Sequence, residues 1–223
     1  MKTKRFGLPM LFALAVTSVM LTPARVGAHG DVTPQPVDTT GLPELGEEWL
    51  EENPWRDPSK PEWALAVKIG ASGFNQNCAR CHGLEAVSGG TAPDVRFLEA
   101  NSEGDAWFVE RFTIGYSQGG VTKMPAFGEL LGQEAGWAIR TYIETRPDEG
   151  ALDEFQAELQ GAKKQLADYL AAAKTPKDVE TDLALLKTRM ADIAGKVKTG
   201  SGAPIADSVA SRAAILLDGS PES

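Results

Sequence analysis

Cysteine and histidine are scarce in this chain of 223 residues, which has only two of each. Cys78 and Cys81 are three positions apart, so a disulfide between them would close a very small loop and add little stability. A zinc site needs about four ligands, and the second histidine, His29, is far from His82 in the sequence. A redox-active pair of the thioredoxin type follows a strand, whereas the residues before Cys78 have a helical pattern. The shortage of other ligands therefore argues against structural zinc, and the very small loop argues against a structural disulfide.

Basic residues are also in short supply, with 22 Lys and Arg against 31 Asp and Glu and a formal net charge of -9. A surface with this balance repels nucleic acid and anionic lipid, so neither is an expected partner. The same charge favours a protein partner with a basic docking face.

Long apolar runs are absent except near the start of the chain. Basic residues at positions 2, 4 and 5 precede an apolar stretch, Leu8–Leu21, and small residues follow at Val26-Gly27-Ala28. This order predicts a signal peptide over residues 1–28, cleaved after Ala28, and therefore a periplasmic protein. The alternative is an uncleaved anchor, but the stretch is shorter than the roughly 20 residues of an ordinary membrane span. Cleavage would leave His29 at the N-terminus, where no partner ligand for a metal can be identified.

Proline is concentrated in residues 29–61, which hold six prolines among acidic and aromatic residues. Proline at this density excludes a long helix, so we expect an extended N-terminal arm with one short helical piece around residues 44–52. Trp49 and Trp55 are expected to attach the arm to the next part of the chain.

Residues 62–147 have the pattern of a compact all-α domain. Helices are predicted over residues 62–77, 105–114 and 133–144, with glycine-rich loops between them. About 85 residues is small for a self-sufficient hydrophobic core.

Residues 151–198 have apolar residues at alternating steps of three and four, which predicts two helices. Thr175 and Pro176 fit the N-cap and first position of the second helix. We therefore expect an antiparallel helical hairpin, acting as a dimerisation or tethering module or as a passive extension. Residues 199–223 are rich in small residues and are predicted to be a mobile tail.

The motif Cys78-Ala79-Arg80-Cys81-His82 carries the clearest chemical signal. One helical turn between two thiols matches the gap between two vinyl groups of a porphyrin, and the next imidazole can reach the iron. This predicts one covalently bound haem c, with Cys78 and Cys81 as thioethers and His82 as proximal ligand. The buried macrocycle would also supply the apolar volume that the small core lacks.

The sixth iron ligand separates an electron carrier from a haem that binds small molecules. Two methionines follow the motif. Met124 lies in a loop before the last helix of the core and is the predicted axial ligand, whereas Met190 lies on the apolar seam of the hairpin and is explained by packing. An open sixth position, as in a peroxidase or a ligand sensor, is the competing hypothesis.

Residues Gly70 to Gly83 resemble the haem-binding helix of a class I cytochrome c. The resemblance implies that Pro93, eleven residues after His82, presents its carbonyl to the proximal imidazole. It also implies that Gly70 and Tyr142 lie where the first and last helices of the fold cross. The expected architecture is thus an all-α class I cytochrome c fold with the N-terminal arm and the C-terminal hairpin added.

Several further segments resemble PedF-type cytochromes c, which serve quinoprotein alcohol dehydrogenases that carry pyrroloquinoline quinone. The matching segments are residues 29–38, 46–49, 75–86, 88–90 and 107–112. The resemblance implies one-electron transfer from such a dehydrogenase to this protein and then to a downstream oxidase or cytochrome. A general cytochrome c that serves another dehydrogenase or an oxidase is the alternative. On either hypothesis we expect deletion of residues 151–223 to leave haem attachment and potential nearly unchanged.

Overall fold

The computed structural model describes residues 34–217, and the predicted signal peptide and His29 lie outside this range. The described part is mainly helical, with a single two-stranded sheet, and confirms the predicted all-α class. Its α-helices are α1 (Pro61–Asn77), α2 (Ala79–His82), α3 (Ser102–Ile114), α4 (Gly128–Glu144), α5 (Gln156–Ala171), α6 (Glu180–Ala194) and α7 (Val209–Leu216).

The first and last helices of the haem-motif domain, α1 and α4, cross at Gly70. A Cβ atom at this position would lie 1.9 Å from the carbonyl oxygen of Ala138 and 2.8 Å from the Cβ of Tyr142. The Phe74 and Tyr142 rings pack beside the crossing, with their centroids 5.4 Å apart. The close helix contact implied for Gly70 and Tyr142 is therefore present in the structure.

The N-terminal arm covers α4 in an extended conformation. The prediction of a short helix at residues 44–52 is wrong, because these residues form bends and irregular backbone. Their amide groups bond to side chains of α4 instead: Leu45 N donates to Glu134 Oε1 (2.8 Å) and Leu50 N to Gln133 Oε1 (3.3 Å). Trp49 packs against Phe112 and Trp137, as its predicted role requires.

A short hairpin connects α3 to α4. Its strands are β1 (Tyr116–Gln118) and β2 (Val121–Met124), which pair antiparallel. Gly119 and Gly120 form the turn with φ of +59° and +76°, the left-handed values that a tight hairpin requires. The hairpin replaces the glycine-rich loop that the sequence predicts here.

The chain after Glu144 has its own hydrophobic core. Helices α5 and α6 contribute apolar side chains to this core. The predicted restart occurs at Thr175, whose amide donates to Asp178 Oδ2 (2.9 Å). Leu186, Met190 and Ile193 are the most buried residues of α6.

As far as Leu217, the final segment differs from the mobile tail that the sequence predicts for residues 199–223, and residues 218–223 lie outside the described range. Residues 199–208 lie against the end of α4, and α7 then packs on α6. Ala206 before α7 and Ala210 within it are fully buried in the C-terminal core. The Ser208 side chain accepts a hydrogen bond from Ser211 N and begins α7. Within residues 34–217, no helix has both the length and the apolar character that crossing a membrane requires.

Candidate haem site

A cavity of about 570 Å³ opens between the end of α1 and the β-hairpin. This volume is within the range of about 300–1,000 Å³ that small-molecule and cofactor sites occupy. Every residue that lines it lies between positions 77 and 127, so the C-terminal helices do not cover it. The lining residues that the sequence analysis selected are Cys78, Cys81, His82, Pro93 and Met124.

The two cysteines and His82 occupy the end of α1 and the single turn of α2. Cys78 N donates to Phe74 O (2.8 Å), which continues α1, and Cys81 N and His82 N both donate to Cys78 O. Both thiols are free, Cys78 partly buried and Cys81 exposed. The local helical geometry thus presents both sulfur atoms and the imidazole to one cavity.

His82 is oriented by the carbonyl that the resemblance implied. Its Nδ1 lies 2.9 Å from Pro93 O. Because a carbonyl oxygen can only accept, Nδ1 carries the proton and the lone pair of Nε2 is left available for a metal ion.

The loop that carries Pro93 is held by its own polar contacts. Asp94 accepts from Arg96 N (3.1 Å) and pairs with the Arg96 guanidinium (2.7 Å). Burial opposes the charged form of Asp94, but Arg96 outweighs this effect and keeps the Asp94 pKa below its ordinary value. Gly83 begins the loop with φ of +80°, and a Cβ there would lie 1.8 Å from Val87 O. The loop therefore requires glycine at its first position.

Met124 ends β2 and is partly buried on the wall of the same cavity. Gly115 allows this placement, since a Cβ at this glycine would lie 2.5 Å from Met124 O. Met190 is 2% exposed in the C-terminal core and does not line the cavity. Of the two methionines after the motif, only Met124 is placed near His82.

An aromatic and basic rim around the cavity has no counterpart in the sequence analysis. The Arg111 guanidinium lies over the rings of Trp107 and Tyr116, at 5.4 and 5.2 Å from their centroids. Arg80 and Lys123 are exposed and also line the cavity, whereas none of its lining residues is acidic. The spacing of Trp107 and Arg111 on one helix face signals their contact, but Tyr116 joins them only through the fold.

The donor set fits haem c better than a bare metal ion. Among residues 34–217, no group of three or more His, Cys, Asp or Glu forms a metal site. Burial, with a smaller contribution from Cys81, raises the pKa of the Cys78 thiol to about 12, so this thiol is protonated at neutral pH. A zinc-bound cysteine is a thiolate, whose charge the burial of Cys78 opposes, whereas a thioether is neutral. The largely apolar walls and the paired sulfur atoms suit a covalently attached porphyrin.

Known proteins resemble this chain in the same region. Residues 65–143 match the family model described as cytochrome c oxidase, cbb3-type, subunit III. Cytochrome c550 of Pseudomonas aeruginosa is 53% identical over 139 residues, which make up 62% of this chain and 91% of that relative. No solved structure matches the chain.

The chain belongs to the class I c-type cytochromes. It is therefore an electron-transfer protein rather than an enzyme, and its cofactor is covalently bound haem c. The alignment with cytochrome c550 leaves more than a third of this chain without a counterpart.

Proposed function

We propose that this protein is a periplasmic mono-haem carrier with Cys78 and Cys81 as thioether attachment points and His82 and Met124 as axial ligands. Bound haem c supplies an iron that alternates between the ferric and ferrous states. His82 binds through Nε2 while Nδ1 donates to Pro93 O, a hydrogen bond that increases the basicity of the ligand. The thioether of Met124 favours ferrous iron and raises the potential.

One observation carries the proposed ligand pair: His82 with its Nδ1 proton directed to Pro93, and Met124, line the same cavity. Replacement of Met124 by Leu tests the assignment, since Leu keeps similar volume and cannot ligate. We expect Met124→Leu to lose the weak long-wavelength absorption of Met-ligated ferric haem, to lower the potential and to bind carbon monoxide rapidly in the ferrous form.

The matched control is Met190→Leu, the same substitution in the C-terminal core, where conserved volume should keep the stability cost below about 1.5 kcal/mol. The control should keep the absorption band and the potential of the unsubstituted protein. An unsubstituted protein that lacks the band and binds carbon monoxide at once would contradict the ligand pair and favour an open sixth position.

We further propose that the electron donor is a quinoprotein alcohol dehydrogenase and that the acceptor is a downstream oxidase or cytochrome. The resemblance of residues 29–38, 75–86 and 107–112 to PedF-type cytochromes supports the donor, and the signal-peptide pattern supports the periplasm. The rim of Trp107, Arg111 and Tyr116 offers the residue types that dominate binding energy in protein interfaces.

Stopped-flow reduction by purified dehydrogenases tests the donor. A quinoprotein alcohol dehydrogenase should reduce the ferric protein faster than unrelated periplasmic dehydrogenases, and added salt should slow the reaction if charge steers the encounter. Equal rates with all donors would support the general carrier instead. Intact mass of the exported protein, with a pyridine haemochrome spectrum, tests haem number and cleavage after Ala28.

Dimerisation through the hairpin is a separate partner hypothesis. Leu170 in α5 and Leu185 in α6 are 80% and 64% exposed, so each is available to an apolar contact with a second copy of the chain. Sedimentation of the full-length holoprotein and of Leu185→Glu tests the hypothesis, and a monomer at all concentrations would contradict it.

A further inference from the structure

The segment after α6 completes the last turn of α4. Ser201 Oγ donates to Glu144 O (2.7 Å), Asp207 N to Thr145 O (2.8 Å) and Gly200 N to Arg146 O (3.2 Å). The last carbonyl groups of a helix have no partner within the helix. Residues 199–212, which we call the C-terminal clamp, provide these partners and are thereby attached to the haem domain.

The clamp makes one contact at the start of the loop that presents Pro93. Arg146 is 1% exposed and lies between two carboxylates: its Nη1 is 2.5 Å from Glu85 Oε2 and its Nη2 bonds to Asp207. Arg212 pairs with Asp207 (2.8 Å) and approaches Glu85 to within 3.8 Å. Asp207 and Arg212 therefore act on Glu85 through a shared, partly buried ion network.

The backbone at this contact is strained. Glu85 and Ala86 have φ of +56° and +61°, and neither is a glycine. Left-handed conformations of such residues are unfavourable and persist only where surrounding contacts hold them. The carboxylate of Glu85 is tied to Arg146, which supplies such a contact.

The clamp makes a second contact at the end of the same loop. Ala100 N donates to Ser201 O (3.0 Å), and Gly200 lies directly against Arg96. A Cβ at Gly200 would lie 2.9 Å from Arg96 O and 3.2 Å from Arg96 C. Only a residue without a side chain lets the clamp approach the loop this closely.

From these two contacts we infer that the C-terminal clamp positions the loop of residues 85–96 and, through Pro93 O, the proximal imidazole of His82. The loop is held at Glu85 by Arg146, which pairs with Asp207 of the clamp, and at Arg96 by Gly200 of the clamp. The inference rests on the proposed role of His82 as an iron ligand. It predicts that the C-terminal segment tunes the haem, in contrast to the deletion result expected from the sequence.

Substitution of Gly200 by Ala tests the second contact without changing charge. The added methyl group should displace the backbone of Arg96 and weaken the hydrogen bond from His82 Nδ1 to Pro93 O. Weaker hydrogen bonding lowers the basicity of the imidazole, so we expect a higher midpoint potential. Exchange of the His82 ring N–H with solvent should become about tenfold faster in the holoprotein, measured by NMR.

The matched control is Gly161→Ala, the same change in α5, where a Cβ would have no neighbour within 4 Å. It should leave the potential and the exchange rate of the His82 ring proton unchanged.

Asp207→Asn tests the first contact if Gly200→Ala yields no holoprotein. Its control is Asp192→Asn, which removes a carboxylate from an exposed pair with Lys196 at the end of α6, outside the clamp. We expect Asp207→Asn to accelerate exchange of the His82 ring proton and Asp192→Asn to leave it unchanged.

If neither Gly200→Ala nor Asp207→Asn differs from its control in ring-proton exchange and potential, the inference is wrong. Failure of the proposed ligation has a different signature, because the unsubstituted protein would then lack the spectrum of haem with His and Met ligands. If the unsubstituted protein has that spectrum and the variants match their controls, the proposed function stands and only the inference about the clamp is wrong.

Discussion

At the scale of single residues, three positions require glycine because another part of the backbone lies against them. Gly70, Gly83 and Gly200 each lie against a backbone carbonyl that a Cβ atom would approach to 2.9 Å or less. The sequence indicated a role for Gly70 through resemblance alone. Gly200 lies in a segment rich in small residues, where no pattern distinguishes it from its neighbours.

Gly70→Ala should strongly destabilise the protein. The added Cβ would lie 1.9 Å from Ala138 O, a backbone atom that cannot move without separating α1 from α4. Overpacking of a core typically costs about 1–3 kcal/mol, and we expect a free energy of unfolding lower by at least this amount in urea titrations. Gly161→Ala, on an open helix surface, should instead be neutral or stabilising by up to about 1 kcal/mol. Equal effects of the two substitutions would contradict the tight crossing.

At the scale of elements, the N-terminal arm is held by a buried ion network as well as by its tryptophans. Arg56 pairs with Asp105 (2.6 Å) and Glu144 (2.8 Å), and both carboxylates are also in contact with Arg140. Burial lowers the pKa of Arg56, but Glu144 and Asp105 more than compensate, so its net pKa is raised and it stays charged. The arm thus supplies a cation that α3 and α4 need.

Arg56→Ala should loosen the arm and leave two buried carboxylates with one arginine. Loss of one partner of a buried ion pair costs about 3–5 kcal/mol. We expect the cost of Arg56→Ala to lie near the lower end of this range, because the Arg56 side chain is 22% exposed. Urea unfolding measures the effect, with Lys164→Ala as the control because its pair with Asp168 is exposed and worth at most about 1 kcal/mol. A cost for Arg56→Ala no greater than the control's would show that the arm is held by apolar contacts alone.

The contact between the clamp and α4 should be sensitive to acid. Burial opposes the charged form of Asp207, but Arg212 and Arg146 outweigh it and hold its pKa below the ordinary value of 3.8. The unfolded chain therefore takes up a proton at a higher pH than the folded protein does. The stabilisation is present above the ordinary pKa and is lost as the pH falls through the lowered one.

We accordingly expect the free energy of unfolding to fall on acidification from about pH 5, and to fall less in Asp207→Asn. Urea titrations at several pH values, with Asp192→Asn as reference, measure the difference. Parallel pH profiles of Asp207→Asn and the unsubstituted protein would contradict this assignment.

At the scale of the whole molecule, charge is unevenly distributed. The net charge of -9 favours a basic partner, yet the haem cavity has Arg80, Arg111 and Lys123 in its lining and no carboxylate. Exposed acidic residues of the arm, such as Glu47 and Glu51, do not line the cavity. Electron transfer needs close approach to the haem, so we expect the local rim to determine the orientation of the partner.

Lys123→Glu should therefore slow reduction by the proposed quinoprotein alcohol dehydrogenase about threefold to tenfold at low salt, an effect that screening reduces. Lys187→Glu, on the exposed face of α6, is the control with the same charge change and should have little effect. Stopped-flow rates and the potential should be measured together. Faster reduction of Lys123→Glu would show that the partner docks through a basic face. A shifted potential with an unchanged rate would show that Lys123 interacts with the propionate groups of the haem and not with the partner.

Much of the haem site was predictable because its chemistry is local. Cys78, Cys81 and His82 lie within one helical turn, so their spacing alone defines two sulfur atoms and an imidazole on one side of the chain. Helical periodicity likewise located α1, α4 and the hairpin of α5 and α6. The helix predicted at residues 44–52 does not form, because backbone amide groups of this segment donate to side chains of α4, which is remote in sequence.

The sequence by itself determined the cofactor and its attachment, since covalent haem requires residues at adjacent positions. Only the tertiary structure brought Pro93 to His82, Met124 to the same cavity and the clamp to both sides of the Pro93 loop. These contacts join residues from 11 to about 100 positions apart, and small residues such as Gly200 carry no periodic signal. The clamp packs against the loop because Arg146 is buried and because the last carbonyl groups of α4 need hydrogen-bond donors from outside the helix. Both conditions arise only once the chain has folded.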